Sequence, residues 1–171
     1  MSHLLSPTAL LLIKTLVLGG EALQKSDISP WISNGVCTLN AYRPAECCIA
    51  TSTHIMNDEQ DSRVFGSADS AFYWIVDPDD HHKLLPIGAV GELLIDGPIV
   101  GRGYINDPVK TATSFVASPT WCQTFPGADS DTHMYKTRDL VQYVANGKIM
   151  FISCMDVQVK LHGQQLELSG P

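Results

Sequence analysis

The chain has 171 residues, enough for one domain with a buried core, and its 44% hydrophobic and 17% charged residues are typical of a globular protein rather than a disordered one. Its net charge of −7, with the lysines and arginines scattered, argues against nucleic-acid binding. Its five cysteines show no CxxC spacing, which argues against a disulfide framework or a zinc site and favours reduced thiols in the cytoplasm. Lys14 interrupts an apolar N-terminal run that is too short to span a membrane, so we expect no secretory signal and no membrane partner.

The first third of the chain predicts a parallel βαβ unit. Leu16–Leu18 is a buried strand ending at a glycine pair, Glu21–Ile32 has helical spacing interrupted by a proline, and Val36–Leu39 is a second strand. Asn40–Glu46 then predicts a turn, and Ile49–Ile55 predicts a further strand. The polar stretch that follows, as far as residue 69, predicts a loop.

The remainder predicts mainly antiparallel β-structure with one helix. Pro108–Val116 is the helix, because its proline stands at the start of a pattern with helical spacing. Asn146–Gly147 lies between two apolar runs and is a strong β-hairpin signal. The predicted strands are Phe72–Val76, Leu84–Leu85, Glu92–Ile95, Leu140–Val144, Ile149–Ile152 and Val157–Leu161.

Three side chains near predicted turns are candidates for nucleotide chemistry, and two of them also have a simpler interpretation. The ring of Tyr42 could stack on a nucleobase, or it could pack in the loop beside its proline. The carboxylate of Glu46, four residues further on, could hold a hard metal ion. Asp139, just before a predicted strand, could accept the paired hydroxyls of a ribose, or make ordinary turn hydrogen bonds.

A strand near the C-terminus carries alternating polar residues that share one face: Asp156, Gln158, Lys160 and His162. The simpler interpretation is the solvent side of an edge strand. The six histidines lack the spacing of metal ligands, and the sequence contains no GxSxG elbow, no GxGxxG and no P-loop. Serine-hydrolase, Rossmann and P-loop mechanisms are therefore not indicated.

The run Gly91–Asn106 is the most unusual local pattern in the sequence. It places four glycines and one proline around a short strand pattern. Glycine in and beside a strand is costly unless the backbone must bend or approach another segment closely at that position. The run therefore predicts turns that a specific fold requires.

Five segments resemble the signature motifs of the adenylation domain of a fungal-type nonribosomal peptide synthetase, and they occur along the chain in the same order as those motifs. This domain belongs to the adenylate-forming superfamily, which also includes acyl- and aryl-CoA synthetases and luciferases. The resemblance covers the chain from about Leu4 to Leu168. Asn40–Glu46 resembles Asn-x-Tyr-Gly-Pro-(Thr or Ala)-Glu, and Gly91–Asn106 resembles Gly-Glu-Leu-x-Ile-x-Gly-x-x-Val-(Ala or Gly)-Arg-Gly-Tyr-x-Asn. The other three segments are Thr15–Leu23, Tyr135–Leu140 (Tyr-(Lys or Arg)-Thr-Gly-Asp-Leu) and the hinge segment Asp156–Gly163.

The resemblance implies that an amino acid attacks the α-phosphate of MgATP to give an aminoacyl-AMP, whose acyl group then passes to the phosphopantetheine thiol of a peptidyl carrier domain. It implies that Tyr42 stacks on adenine, Glu46 helps to hold magnesium and Asp139 grips the ribose. Asp156 would be the hinge, and Lys160, on the same segment, would join the catalytic set. The residues that would line part of the amino-acid pocket are small or apolar and favour a hydrophobic substrate: Val17, Gly19, Ala41, Ile49 and Ala50.

The implied fold is α/β, a partial adenylate-forming core. Residues 1–56 would be part of an α/β layer, 57–69 a loop, 70–155 a distorted antiparallel β-barrel, and 156–171 the hinge and the truncated start of the lid subdomain. The rest of the lid and the upstream phosphate loop would be missing. Because phosphate positioning carries much of the rate in such chemistry, we expect little activity from this chain alone.

Several functional motifs depart from the family pattern. Arg43 and Arg138 stand where the family has glycine, and Ser153–Cys154 replaces a glycine–arginine pair. Three interpretations follow. The chain is a fragment of a working ligase, a degenerate relic or non-catalytic binding module, or a β-rich interaction protein that keeps only the barrel.

Overall fold

The computed structural model describes residues 12–48, 50–57, 62–68, 71–125 and 133–155, and the backbone of residues 158–161 and 164–167. The two α-helices of this part are α1 (Lys25–Ser33) and α2 (Pro108–Ser114), and short 3₁₀ turns lie at Ala45–Cys47 and Thr120–Thr124. The strands are β1 (Thr15–Gly19), β2 (Cys37–Tyr42), β3 (Ser52–Met56), β4 (Val64–Ala68), β5 (Phe72–Val76), β6 (Val90–Asp96), β7 (Phe115–Ala117), β8 (His133–Tyr143), β9 (Ile149–Cys154), β10 (Gln158–Leu161) and β11 (Gln164–Glu167).

The predicted parallel βαβ unit is confirmed, but its first strand, predicted to be buried, alternates exposed and half-buried residues. Strand β1 pairs with β2 in parallel, in register from Thr15 opposite Cys37 to Gly19 opposite Ala41. Helix α1 connects them and buries Ile28. The helix begins at Lys25 rather than at residue 21, and the Asp27 carboxylate accepts a hydrogen bond from the Gln24 N–H at 3.1 Å, which satisfies a donor at the helix start. The helix continues through its internal proline to Ser33.

The second strand is longer than predicted, because a third strand pairs along it. Strand β3 runs antiparallel to β2, and the pairing extends as far as Tyr42 opposite Ser52. Asn40–Tyr42 therefore belongs to a strand, and the predicted turn begins at Arg43 among the described residues. The third strand starts at Ser52 instead of residue 49, because a 3₁₀ turn at Ala45–Cys47 and a left-handed backbone at Cys48 (φ 63°) intervene.

The prediction of a continuous loop over residues 57–69 was wrong, because Val64–Ala68 forms strand β4. This strand pairs with β3 through Ser52 opposite Ala68 and with β9 through Val64 opposite Met150. It therefore joins the two halves of the chain in one sheet of order β1-β2-β3-β4-β9-β8-β6-β5. Backbone pairing with two neighbours stabilises a strand that its own composition does not favour. The division of the chain at residues 56 and 155 stays a prediction.

The second half is an antiparallel β-structure around an apolar core. Strands β5, β6, β8 and β9 pair in succession, and β7 adds to β8. The predicted hairpin is confirmed between β8 and β9, where Val144 donates to the Lys148 carbonyl at 3.0 Å and Gly147 has φ 76°. Leu84 forms only a single bridge with Val76. The core contains Cys47, Tyr73, Ile75, Leu93, Ile95, Phe115, Tyr135, Val141 and Ile149.

The predicted helix over residues 108–116 is shorter than expected. It ends at Ser114, because Phe115 begins strand β7 and pairs with Tyr135. Its start is capped by Asp107, which accepts from the Lys110 N–H at 2.9 Å. The described strand of the hinge segment, β10, pairs with β11 in a separate two-stranded sheet. Among the described residues, no helix has the length and apolar character needed to cross a membrane.

Candidate nucleotide-binding site

Tyr42 and Asp139 come together although 97 positions separate them in the sequence. The Tyr42 hydroxyl donates to Asp139 Oδ2 at 2.6 Å. Tyr42 is the last residue of β2 and Asp139 lies within β8, so the α/β half and the β-rich half each supply one partner. Burial, followed by the charge of Asp139, raises the pKa of Tyr42 well above its ordinary value of 10.0, so Tyr42 remains a phenol and a donor at neutral pH.

The Tyr42 ring also stacks on Phe65, with the ring centroids 4.1 Å apart and the planes at 14°. Phe65 lies on β4 and makes a tilted contact with Phe151, whose centroid is 5.7 Å away. One face of the Tyr42 ring is therefore covered by protein, and a planar base would have to stack on the other face. The strand that the sequence did not predict thus backs the aromatic ring of the candidate site.

A bulge in β8 directs Asp139 towards Tyr42. Glu92 pairs with Leu140 and Leu94 with Lys136, so one residue of β6 faces three residues of β8. Thr137 Oγ1 donates to the Leu93 carbonyl at 2.9 Å and accepts from the Asp139 N–H at 3.1 Å. An irregularity of this kind changes the direction of the side chains that follow it.

Arg138, at the centre of the bulge, has the left-handed backbone conformation, with φ 59°. Its N–H donates to Glu92 Oε1 at 3.0 Å, and its carbonyl accepts from the Met155 N–H at 2.8 Å. A non-glycine residue in this conformation costs about 1–2 kcal/mol. A glycine would adopt this conformation without that cost, and this chain places an arginine there.

Glu92 is a buried carboxylate that supports the bulge from β6, with 1% of its surface exposed. Its Oε2 lies 3.3 Å from the Lys136 ammonium, while its other oxygen accepts from the Arg138 N–H. Burial raises the pKa of Glu92, and the charge of Lys136 opposes that rise. Glu92 thus holds the backbone one residue before Asp139.

Glu46 lies in the 3₁₀ turn after Tyr42 and is held by Tyr104. The Tyr104 hydroxyl donates to Glu46 Oε1 at 2.7 Å. Burial and this hydrogen bond raise the pKa of Tyr104. Burial, followed by the charge of Glu46, also raises the pKa of Tyr135, a buried neighbour. Two tyrosines from different motifs therefore lie against one carboxylate and remain protonated at neutral pH.

Glu46 alone cannot hold a magnesium ion, and bound water and the phosphates of a nucleotide would have to supply the other metal ligands. The described residues contain no group of three or more His, Cys, Asp or Glu side chains that could hold a metal ion. Magnesium commonly takes one or two carboxylates and fills its remaining positions with water and substrate phosphates. One carboxylate near a nucleotide site fits that pattern, whereas a nucleotide-independent site would need more ligands.

Three of the five predicted pocket residues share one face of the sheet: Val17, Gly19 and Ala41. Gly19 lies opposite Ala41, and a Cβ on it would lie 2.2 Å from the Ala41 carbonyl oxygen, so only glycine fits there. Val17 is 55% exposed, as is Ile55 at the same level of the sheet. Ala50 is half-buried in the turn before β3. An apolar row with an open side therefore adjoins the end of β2 that carries Tyr42.

The remaining predicted residues lie outside the described residues or at the edge of the candidate site. Ile49 and the proposed hinge residue Asp156 lie outside the described residues. For Lys160 only the backbone is described, in β10. Arg43 is exposed, directly after Tyr42. Cys154 lies opposite Asp139 in the β8–β9 pairing.

Sequence reasoning missed the residues that support the candidate side chains: Phe65, Glu92, Tyr104 and Lys136. Phe65 lies in a polar stretch with no strand pattern, so no local signal identified it. Glu92 did have a signal, because it is the single carboxylate ahead of three apolar residues in a predicted buried strand. A charge at such a position usually needs a buried partner.

Comparisons with known proteins identify the family of this chain. A family model described as "AMP-binding enzyme" matches residues 4–105. Nonribosomal peptide synthetase easA of Emericella nidulans is 42% identical over an alignment of 171 positions, and this alignment covers 97% of this chain and 2% of the synthetase. Nonribosomal peptide synthase roqA of Penicillium rubens is 45% identical over 165 residues, which cover 96% of this chain and 7% of the synthase.

Solved structures show the same relationship. PA1221, a nonribosomal peptide synthetase protein containing adenylation and carrier (PCP) domains, superposes with a TM-score of 0.79 at 27% identity, over 96% of this chain and 33% of that one. The Vibrio cholerae adenylation domain AlmE, solved with glycyl-adenosine-5′-phosphate, superposes with a TM-score of 0.71 at 26% identity, over 91% of this chain and 28% of that one. The chain thus spans a few per cent of these synthetases and about a third of the solved protein PA1221. It belongs to the family of AMP-binding enzymes and corresponds to part of the adenylation domain of a nonribosomal peptide synthetase.

Proposed function

We propose that this chain supplies the nucleotide-binding part of an amino-acid-activating ligase. In the complete reaction, an amino acid and MgATP give aminoacyl-AMP and pyrophosphate, and the acyl group then passes to the phosphopantetheine thiol of a peptidyl carrier domain. The single observation that carries the proposal is the 2.6 Å hydrogen bond between Tyr42 and Asp139, with Glu46 four residues away. We also propose that the ligase works in the cytoplasm.

In this proposal each of the three side chains has one task. Tyr42 offers to adenine the ring face opposite Phe65, which supports the other face. Asp139 accepts hydrogen bonds from the ribose hydroxyls, and a charged acceptor makes these bonds stronger than neutral ones. Glu46 contributes a carboxylate oxygen to magnesium, which neutralises charge on the phosphates when it is bound.

The amino-acid side would lie along the apolar row of the βαβ unit. Val17, Gly19 and Ala41 share one sheet face, and the glycine lets β1 approach the Ala41 carbonyl closely. A hydrophobic amino-acid side chain suits such a lining. The hinge role of Asp156 and a catalytic role for Lys160 remain part of the proposal through the family motif alone.

The test is equilibrium binding of AMP and ATP to the full 171-residue chain by isothermal titration calorimetry. Saturable binding at one site per chain is the expected result, and a chain with no heat at millimolar AMP contradicts the proposal. In amino-acid-dependent ATP–pyrophosphate exchange we expect no signal, since the chain spans about a third of a solved adenylation protein. Exchange by the chain alone would contradict that expectation.

A second candidate function is a degenerate, non-catalytic interaction module. It is favoured by Arg138, a bulky residue with φ 59° in the bulge next to Asp139. Arg43, next to Tyr42, is the other arginine that stands where the family motif has a glycine. The double variant Arg43→Gly/Arg138→Gly separates the two functions. If this variant binds AMP and the parent chain does not, the site is degenerate; equal binding by both supports the nucleotide-binding function.

A further inference from the structure

The glycine-rich run Gly91–Asn106 reaches the candidate metal carboxylate directly. Tyr104, near its end, donates its hydroxyl hydrogen to Glu46 Oε1 at 2.7 Å across 58 positions of sequence. The Tyr104 hydroxyl is the part of the run that contacts the Glu46 carboxylate. This contact gives the run a task beyond shaping the β-structure.

The Tyr104 ring is itself fixed by helix α2 and strand β7. The Tyr104 backbone N–H donates to Thr111 Oγ1 at 2.9 Å, and the Tyr104 ring packs edge-on against Phe115 with the ring centroids 5.6 Å apart. The Lys110 ammonium lies 4.5 Å from the ring centroid. Gly103 precedes it with φ 137°, and a Cβ there would lie 2.5 Å from the Thr111 side chain. The donor is therefore pre-positioned rather than free to swing.

The backbone of Glu46 is held by the same run. The Gly101 N–H donates to the Glu46 carbonyl at 2.7 Å, and a Cβ on Gly101 would lie 2.9 Å from that oxygen. The next residue, Cys47, is fully buried in the core. Both the main chain and the carboxylate of Glu46 are thus fixed by residues between Gly101 and Tyr104.

We propose that Tyr104 is a positioning residue that fixes the Glu46 carboxylate for a divalent cation bound together with the nucleotide phosphates. A glutamate on a short turn loses side-chain freedom when it binds a metal, and the Tyr104 hydroxyl restricts that freedom beforehand. This inference rests on the proposed function. It adds that the affinity for the metal, and not the affinity for the nucleoside, depends on Tyr104.

The test compares Tyr104→Phe with Tyr143→Phe in the full chain. Both substitutions delete one hydroxyl from a half-buried tyrosine, and the Tyr143 hydroxyl donates to the Tyr73 carbonyl at 2.7 Å, away from Glu46. Two quantities are measured by calorimetry: the dissociation constant for AMP without metal, and the Mg²⁺ concentration that half-maximally strengthens ATP binding. The binding of Mn²⁺ with ATP, followed by electron paramagnetic resonance, gives an independent readout of the metal.

For Tyr104→Phe we expect the half-maximal Mg²⁺ concentration to rise about tenfold, as for loss of a hydrogen bond to a charged group, with AMP affinity unchanged. Tyr143→Phe should change neither quantity. Thr111→Val, which removes the acceptor that holds the Tyr104 N–H, should shift the Mg²⁺ dependence in the same direction by less. If Tyr104→Phe fails to fold, the Mg²⁺ dependence of Thr111→Val tests the inference instead.

The outcomes separate this inference from the proposed function. If the parent chain binds neither AMP nor MgATP, the proposed function is wrong and the inference falls with it. If the parent chain binds both and neither variant changes the Mg²⁺ dependence, only the inference is overturned. Equal weakening of metal-free AMP binding in Tyr104→Phe would show a general structural role and would also overturn it.

Discussion

The hydroxyl of Tyr42 lies 2.6 Å from Asp139 Oδ2, and this bond connects the parallel βαβ unit to the antiparallel β-structure. Neither residue occupies this position through local structure alone. Tyr42 needs the pairing of β2 with β3 to extend as far as Ser52, and Asp139 needs the bulge in β8. The candidate site therefore exists only where both halves are folded.

The first prediction concerns Asp139. Asp139→Asn keeps the shape of the side chain and removes its charge, so AMP should bind about tenfold to hundredfold more weakly, as for loss of charge-assisted hydrogen bonds. Calorimetric titration measures this. The matched control is Asp77→Asn in the loop after β5, where the carboxylate accepts from the Asp79 N–H at 2.9 Å. Equal affinity in the two variants would contradict a role for Asp139 in ribose binding.

The second prediction concerns the left-handed backbone at Arg138. Arg138→Gly should raise the free energy of unfolding by about 1 kcal/mol, because glycine adopts φ 59° without the steric cost that arginine incurs. Urea denaturation followed by tryptophan fluorescence gives the value. Arg43→Gly removes the same type of charge at a residue without positive φ and should not stabilise the chain. A destabilised Arg138→Gly variant would show that the arginine side chain makes contacts worth more than the strain.

The third prediction concerns β4, the strand that joins the two halves. Gly66 has φ 88°, and a Cβ there would lie 2.6 Å from the Thr53 carbonyl oxygen. Gly66→Ala should therefore destabilise the chain by more than about 2 kcal/mol, since strain and a backbone clash add. Gly147→Ala is the control, because it shares a positive φ of 76° but has open space around its Cβ. Thermal unfolding measures the stability of both variants. An equal loss of stability in Gly66→Ala and Gly147→Ala would contradict the effect of the clash at Gly66.

The fourth prediction concerns pH. Burial raises the pKa of Glu92 above its ordinary value of 4.5, so the folded chain binds more protons than the unfolded chain between that value and the folded pKa. The contribution of Glu92 to stability is therefore greatest in acid and is lost as the pH rises through the folded pKa. Glu92→Gln cannot titrate. Relative to the parent chain, this variant should become more stable as the pH rises, by about 1.4 kcal/mol per unit of pKa shift.

The measurement is the free energy of unfolding in urea for both chains, from about pH 4 to about pH 8. The difference between the chains isolates Glu92 from the other titrating groups. A difference that stays constant over this range would mean that Lys136, 3.3 Å away, cancels the effect of burial.

The family and the local folds could be read directly from the sequence. The βαβ unit and the Asn146–Gly147 hairpin depend on contacts between neighbouring segments, and their patterns of apolar, glycine and turn residues are local. The candidate residues Tyr42, Glu46 and Asp139 were also identified from motifs, because those motifs keep their spacing and order.

Only the tertiary structure decided how these residues are supported. Strand β4 has no convincing pattern of its own and forms because β3 and β9 offer it backbone partners. Phe65 behind Tyr42, Glu92 under the bulge and Tyr104 against Glu46 all act across distances of many residues in the chain. The spacing of apolar, glycine and turn residues along the sequence predicts local helices, strands and turns. The contacts that position a functional side chain depend on where distant segments meet, and that is set by the packing of the whole sheet.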